Sequence, residues 1–181
     1  VLSVTNVTRT DEKNGGATFS RRIDLAAPGT SILTCLGNTD SDYAAGGGTS
    51  FASPIVAGAA GLVRSRFPQY NAAQVAAQLR RTTDNIDALP GNVAFAGRMG
   101  SGRLNVRRAV AEAGQRSARV VSRSFLPARA AYNPGDTLRL TVAVQNLLQP
   151  VANLTVTLTS LSAYVTVQQG GFAAGGLATL E

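Results

Sequence analysis

The residues best suited to chemistry lie in one glycine-rich stretch. Gly46, Gly47 and Gly48 precede Thr49 and Ser50, and a run of small and apolar residues follows. A serine on a tight turn at the start of a helix can project its hydroxyl, with its own N–H and the positive end of the helix dipole facing the same point. This arrangement suits a nucleophile that attacks a carbonyl group. Ser50 is therefore the candidate catalytic nucleophile.

The groups that usually assist such a serine are missing. The 181 residues include no histidine, and histidine is the most frequent general base near neutral pH. Lys13, the only lysine, lies in a polar loop and is a poor candidate for a Ser–Lys pair. The single cysteine, Cys35, excludes an internal disulfide framework and a cysteine-based zinc site, and we expect it to be a small buried hydrophobe.

Other charged residues carry little functional signal. Asp24, Asp40 and Asp42 could suggest a calcium site, but turn and edge positions explain them more simply, so we assign no metal and no cofactor. The net charge is +7, and nine arginines fall between residues 98 and 139. Because few aromatic residues are interleaved with them, they indicate a solvated surface, and we predict no nucleic-acid partner. No apolar run is long enough to span a membrane.

The serine requires a helix behind it, and the chain supplies one. Residues 43–63 contain no charge, which predicts a helix buried on all sides. Pro54 lacks an N–H and is best tolerated at the first helical position, so Ser53 is the predicted N-cap. Ser50 would then lie just outside the helix, on the turn.

Strand and helix signals alternate over residues 1–114 and predict an α/β domain. Residues 1–7 form a β-branched strand, expected to be an inner strand of a parallel sheet, and residues 23–28 and 30–36 form two more. Further helices are predicted at residues 71–83, where Asn71 and Gln74 make a capping box, and at 105–113, stopped by Gly114. Because the chain opens within a strand, without an initiator methionine, we expect it to start inside a fold.

The pattern then changes. Residues 115–124 are polar and predict a linker. In residues 125–181, period-two alternation predicts strands at 138–145, at 154–159 and at 165–167. Short strands joined by Pro, Asn and Gly turns are typical of an immunoglobulin-like β-sandwich, and the 57 residues after position 124 suggest a truncated one.

Residues 48–58 resemble the serine motif of the subtilisin-like proteases, the subtilases, which reads Gly-Thr-Ser-x-Ala-Ser/Thr-Pro-His-Val-Ala-Gly. Ile55 stands where the family usually has a histidine that is not the catalytic one. Four flanking segments resemble the family in the same order, so that the likeness covers about residues 1–114: residues 1–7, Phe19-Ser20, Ala26-Ala27-Pro28-Gly29 and the stretch from Gly100 to Val106.

This resemblance implies that Ser50 is the nucleophile and that its own N–H is one oxyanion donor. The catalytic Asp and His, and the Asn that supplies the second donor, are expected before Val1. Family members often bind structural calcium, which cannot be assigned to residues here.

The implied protein is a serine endopeptidase that acts on protein or peptide substrates and is extracellular or at the cell surface. Its fold is a partial subtilisin-like parallel-sheet domain followed by a partial all-β immunoglobulin-like sandwich. The missing N-terminal part of the same catalytic domain is its expected partner, and the present fragment is expected to be inactive alone. Two alternatives stay open: a non-catalytic surface adhesion or scaffold protein that retains the fold, and a sedolisin-type serine-carboxyl peptidase.

Overall fold

The computed structural model describes residues 1–37 and 39–181 as two compact units, Val1–Gln115 and Arg116–Glu181. The first unit is an α/β assembly. Its elements, in chain order, are β1 (Val4–Val7), β2 (Leu25–Pro28), β3 (Ile32–Cys35), β4 (Tyr43–Gly46), α1 (Thr49–Arg66), α2 (Ala72–Arg81), a short 3₁₀ turn (Val93–Phe95) and α3 (Val106–Ala111).

Strands β1 and β2 pair in parallel, with Val4 opposite Leu25 and Val7 opposite Pro28. Six of their eight residues are buried, so the pair lies in the core of the unit. The parallel pairing predicted for the start of the chain is confirmed. In the described chain β2 is the one strand neighbour of β1, so the inner position of β1 stays a prediction. Parallel strands buried on both faces tolerate few polar residues, and the buried Asn6 in β1 is an exception.

Helix α1 packs on this sheet with one face. Its buried residues are Ala52, Val56, Ala59 and Val63, at the spacing of a single helical stripe. The opposite side is open, and Leu62 is 55% exposed. The prediction of a helix buried on all sides is therefore wrong for the described chain, because the elements that contact α1 (β1, β2, α2 and α3) leave one side of it uncovered.

The start of α1 also differs from the prediction. The helix begins at Thr49 with Gly48 as N-cap, and Pro54 lies inside it. Ser53 is not the N-cap, and Ser50 lies in the first helical turn instead of outside it. A proline at the sixth helical position forgoes one bond only, to the carbonyl of Ser50, so the helix can start earlier than Pro54 suggests.

Helices α2 and α3 lie together at the end of the unit. The predicted capping box is present: the Gln74 N–H donates to Asn71 Oδ1 and the Asn71 N–H donates to Gln74 Oε1, both at 3.0 Å. The buried Gln78 amide donates to the carbonyls of Ala109 and Glu112. Helix α3 ends at Ala111, two residues earlier than predicted.

Strands β3 and β4 form an antiparallel hairpin at the surface. The sequence predicted β3 but missed β4. Cys35 is exposed in this hairpin, so its predicted burial is wrong. Leu33 is 72% exposed, which leaves an apolar side chain of the hairpin uncovered by the described chain.

The second unit is all β. Its strands are β5 (Ala118–Leu126), β6 (Arg139–Asn146), β7 (Val151–Thr157) and β8 (Gly171–Leu177), and they pair as two antiparallel hairpins, β5 with β6 and β7 with β8. The predicted linker at 115–124 is wrong, because most of it belongs to β5. Residues 165–167 form no strand, and the glycine-rich β8 was not predicted.

Within the part of the chain that the structure describes, no helix is both long enough and apolar enough to cross a membrane.

Candidate active site

Ser50 lies in the first turn of α1 and is exposed. Gly48, the N-cap, has φ of 133°, a conformation that glycine adopts readily and other residues do not. The N–H groups of Phe51 and Ala52 both donate to the Gly48 carbonyl, at 3.1 and 3.3 Å. In the described chain, neither the N–H nor the hydroxyl of Ser50 forms a hydrogen bond. Both are available to a bound molecule.

Two contacts hold the first turn of α1 in place. The Gly48 N–H donates to the Gly29 carbonyl at 2.6 Å, which ties the helix to the end of β2. On the other side, the Phe51 ring packs so closely on Gly46 of β4 that a Cβ there would overlap it. Ser50 is thereby fixed between the parallel sheet and the surface hairpin.

Ser50 opens onto a polar pocket of about 380 Å³. The described lining holds no ionisable side chain, and it consists of small and polar residues: Asn6, Asn14, Gly16, Ala17, Thr18, Gly47, Gly48, Thr49 and Ser50. Such a pocket can admit a polar backbone segment beside the serine hydroxyl.

The loop that forms one wall of this pocket is held by several bonds. Asn14 Nδ2 donates to Thr30 Oγ1 at 2.8 Å, and Asn14 Oδ1 accepts from the Gly16 N–H at 3.0 Å. Thr5 Oγ1 donates to the Thr18 carbonyl at 2.6 Å. The wall is therefore attached both to β1 and to the segment after β2.

Lys13 stabilises the same loop and does not act as a base for Ser50. Its ammonium donates to the carbonyls of Asn14 and Gly15 and lies 5.1 Å from the Phe19 ring centre and 4.9 Å from that of Phe95. The faces of aromatic rings attract a nearby ammonium group. These contacts give Lys13 a structural role.

The carboxylates considered in the sequence are engaged elsewhere or stand apart from this pocket. Asp24 pairs with Arg80 at 2.8 Å. Glu112, a further carboxylate, is the C-cap residue of α3, and the hydrogen bond from Arg108 lowers its pKa. Among residues 1–37 and 39–181, no three His, Cys, Asp or Glu side chains are grouped to hold a metal ion.

The arrangement thus offers a hydroxyl and a free N–H at the positive end of an 18-residue helix. It can orient a carbonyl carbon against the hydroxyl and its oxygen against the N–H. A proton acceptor for the hydroxyl is absent from the described pocket lining.

Sequence analysis did not identify Asn6 and Gly29 as parts of this site. Asn6 Nδ2 donates to the Gly29 carbonyl at 3.0 Å, the same carbonyl that accepts from Gly48. The sequence feature that could have identified Asn6 is its position as a polar residue in the middle of a β-branched strand.

Comparison with curated proteins finds extracellular and alkaline proteases. The chain is 36% identical over 103 residues to alkaline elastase YaB of Bacillus sp. (strain YaB), covering 55% of this chain and 25% of that protein. It is 38% identical over 118 residues to an extracellular protease of Xanthomonas campestris pv. campestris, covering 62% of this chain and 20% of that protein. The chain therefore spans about a quarter or less of these relatives.

Solved structures give the same result. A protease from Pseudoalteromonas arctica matches with a TM-score of 0.51 and 27% identity, covering 61% of this chain and 35% of that one. The prenylagaramide maturation protease PagA shares the fold, with a TM-score of 0.53 and 24% identity over 61% of this chain and 41% of that one. Residues 1–102 match the model of the subtilase family, peptidase S8. The chain belongs to the subtilase family.

Proposed function

We propose that this chain carries the nucleophile of a serine endopeptidase, and that Ser50 attacks the carbonyl carbon of a peptide bond. The observation that carries the proposal is the geometry of Ser50: exposed, unpaired in the described chain, and in the first turn of an 18-residue helix that opens onto a polar pocket. The family match over residues 1–102 supports it.

In the proposed reaction Ser50 Oγ forms a bond to the peptide carbonyl carbon while a general base takes its proton. The negative charge on the carbonyl oxygen is stabilised by the Ser50 N–H, a second donor and the helix dipole. The base then protonates the leaving amine as the C–N bond breaks, and water releases the acid from Ser50 by the reverse sequence.

The base, its orienting carboxylate and the second oxyanion donor are proposed to come from polypeptide that precedes Val1. An open groove of about 700 Å³ supports this proposal. It lies between the first residues of the chain, one edge of the buried side of α1 and the start of α2. Its lining is mainly apolar and includes Leu2, Val56, Ala60, Val75 and Ala76. An open groove with an apolar lining suits a contact with further protein.

For the second unit, Arg116–Glu181, we propose an immunoglobulin-like module that includes all of β5 and therefore begins before the predicted residue 125. It follows a catalytic portion that ends near residue 114. Two antiparallel hairpins are the building blocks of such a sandwich. Strand β5 is exposed along its whole length, with Val121 and Phe125 54% and 43% exposed, which suits a strand that another layer covers.

We propose protein or peptide substrates and an extracellular or cell-surface location. The relative from Xanthomonas campestris that is named an extracellular protease supports the location. The two alternatives, a sedolisin-type peptidase and a non-catalytic scaffold, have less support, since the matched relatives are named proteases and the matched family is the subtilases.

The test is fluorophosphonate labelling and casein hydrolysis by the intact protein, with Ser50→Ala and the exposed Ser65→Ala as a matched pair from the same helix. We expect the wild type and Ser65→Ala to be labelled and active, and Ser50→Ala to be neither while it keeps the wild-type melting temperature. A well-folded intact protein that takes no label at Ser50 would refute the peptidase and favour the scaffold. The isolated 181-residue chain is expected to show no appreciable hydrolysis.

A further inference from the structure

Asn6 is an unusual residue for its place in the fold. It lies in β1 between Thr5 and Val7, is 1% exposed, and has its Oδ1 buried without a hydrogen-bond partner in the described chain. A buried acceptor without a partner lowers stability, and an apolar side chain of similar size would avoid that loss. Stability alone therefore does not account for an asparagine here.

The amide nitrogen of Asn6, unlike its oxygen, does have a hydrogen-bond partner. Asn6 Nδ2 donates to the Gly29 carbonyl at 3.0 Å, and that carbonyl also accepts the Gly48 N–H at 2.6 Å. Gly48 is the N-cap of α1, and Ser50 is two residues further on. One carbonyl oxygen thus connects the Asn6 amide to the turn that carries the nucleophile.

The junction has no spare room. A Cβ on Gly29 would lie 2.5 Å from Asn6 Cβ and 2.7 Å from the Gly48 carbonyl oxygen. Asn6, Gly48 and Ser50 also line the same pocket. A change in the Asn6 side chain therefore reaches the first turn of α1 through atoms already in contact.

We propose that Asn6 is a positioning residue for Ser50: it holds the Gly29 carbonyl in the orientation that fixes the N-terminus of α1. The role rests on the proposed peptidase function, and it operates through Gly29 and Gly48 without contact to substrate. Because small displacements of a nucleophile reduce the rate of attack steeply, the role belongs to the chemical step and not to substrate binding.

The test compares Asn6→Leu with Gln78→Met in the intact protein. Gln78 is a matched control, because it is also a fully buried amide that donates to backbone carbonyls and has an unpartnered oxygen in the described chain, but it joins α2 to α3. Both variants lose an amide of the same kind. Only the Asn6 variant loses the link to Gly48.

We expect Asn6→Leu to lower the fluorophosphonate labelling rate per folded molecule by about tenfold or more, and to lower kcat for a peptide ester with KM unchanged. Gln78→Met is expected to keep both rates, whatever its effect on melting temperature. Equal labelling rates for wild type and Asn6→Leu would overturn the proposal, and so would a raised KM at unchanged kcat, which would place Asn6 in contact with substrate.

Asn6→Asp serves if Asn6→Leu does not fold. A carboxylate oxygen facing the Gly29 carbonyl repels it, whereas a protonated carboxyl can donate to it. The ratio of the variant's labelling rate to the wild type's should therefore rise as the pH falls, and a constant ratio equal to one would overturn the proposal. If the wild type and Gln78→Met take no label either, the peptidase function itself has failed, which separates the two hypotheses.

Discussion

Replacement of Gly29 by alanine puts a methyl group into the tightest junction of the site. The added Cβ would lie 2.5 Å from Asn6 Cβ, 2.7 Å from the Gly48 carbonyl oxygen and 3.0 Å from Asn6 Nδ2. The Gly48 oxygen is a backbone atom and Asn6 Cβ is fixed to the backbone, so neither can move away by side-chain rotation. The end of β2 and the N-cap of α1 must therefore separate.

The added methyl group lowers the free energy of unfolding in two ways. Overpacking of a close-packed region costs about 1–3 kcal/mol. If the junction opens, the Gly29 carbonyl also loses its bonds from Gly48 and Asn6, and each contributes about 1 kcal/mol. The free energy of unfolding should therefore fall by about 3–5 kcal/mol when both bonds break.

The assay is urea unfolding of the intact protein, followed by fluorophosphonate labelling of Ser50 where both variants are folded. Gly114→Ala is the control, because a Cβ at this exposed glycine meets nothing within 4 Å. We expect the control to lie within about 0.5 kcal/mol of the wild type and to label normally. If Gly29→Ala matches the control in stability and in labelling rate, the inferred junction does not hold Ser50.

Three further outcomes follow from contacts away from Ser50. Asn71→Ala removes the capping box of α2 and should lower the free energy of unfolding by about 1 kcal/mol in urea, with labelling unchanged; a larger loss with slower labelling would contradict a purely local cap. Leu79→Ala should lower it by about 2–5 kcal/mol because Leu79 is fully buried, and a loss under about 1 kcal/mol by the same measurement would mean that α2 packs differently. The hydrogen bond from Arg108 lowers the pKa of Glu112 below 4.5 in the folded state. Its stabilising effect is therefore present above pH 4.5 and is lost as the pH falls through the lowered pKa. Glu112→Gln should flatten the acid part of the curve of unfolding free energy against pH, and identical curves for the variant and the wild type would refute this.

Local signals in the sequence predicted the elements whose causes are themselves local. The capping box at Asn71 and Gln74 depends on residues three apart, and it forms as predicted. The β-branched run that includes Val4 and Val7 forms a strand because such side chains favour extended backbone.

Predictions failed where distant segments compete with a local signal. Pro54 pointed to a helix start at Ser53, but Gly48 caps the helix five residues earlier because its N–H is bonded to the carbonyl of Gly29. A helix without charge was predicted to be buried on every side, but burial depends on how many layers pack on it. Leu62 is exposed because no element of the described chain covers its side of α1.

Two hairpin strands, β4 and β8, were also missed because distant segments determine them. Strand β4 consists of Tyr43 followed by small residues, and strand β8 is rich in glycine. Both compositions have weak strand propensity. Their partners β3 and β7 supply the hydrogen bonds that make them strands.

The amino-acid sequence by itself determined the family, the α/β character of the first unit and Ser50 as the candidate nucleophile, because these depend on residue types at short spacings. Tertiary structure alone decided which side of α1 is buried and that Asn6 and Gly48 meet on the carbonyl of Gly29. These residues are far apart in the chain. The parallel pairing of β1 with β2 brings Asn6 to Gly29, and the packing of α1 on that sheet brings the Gly48 N–H to the same carbonyl.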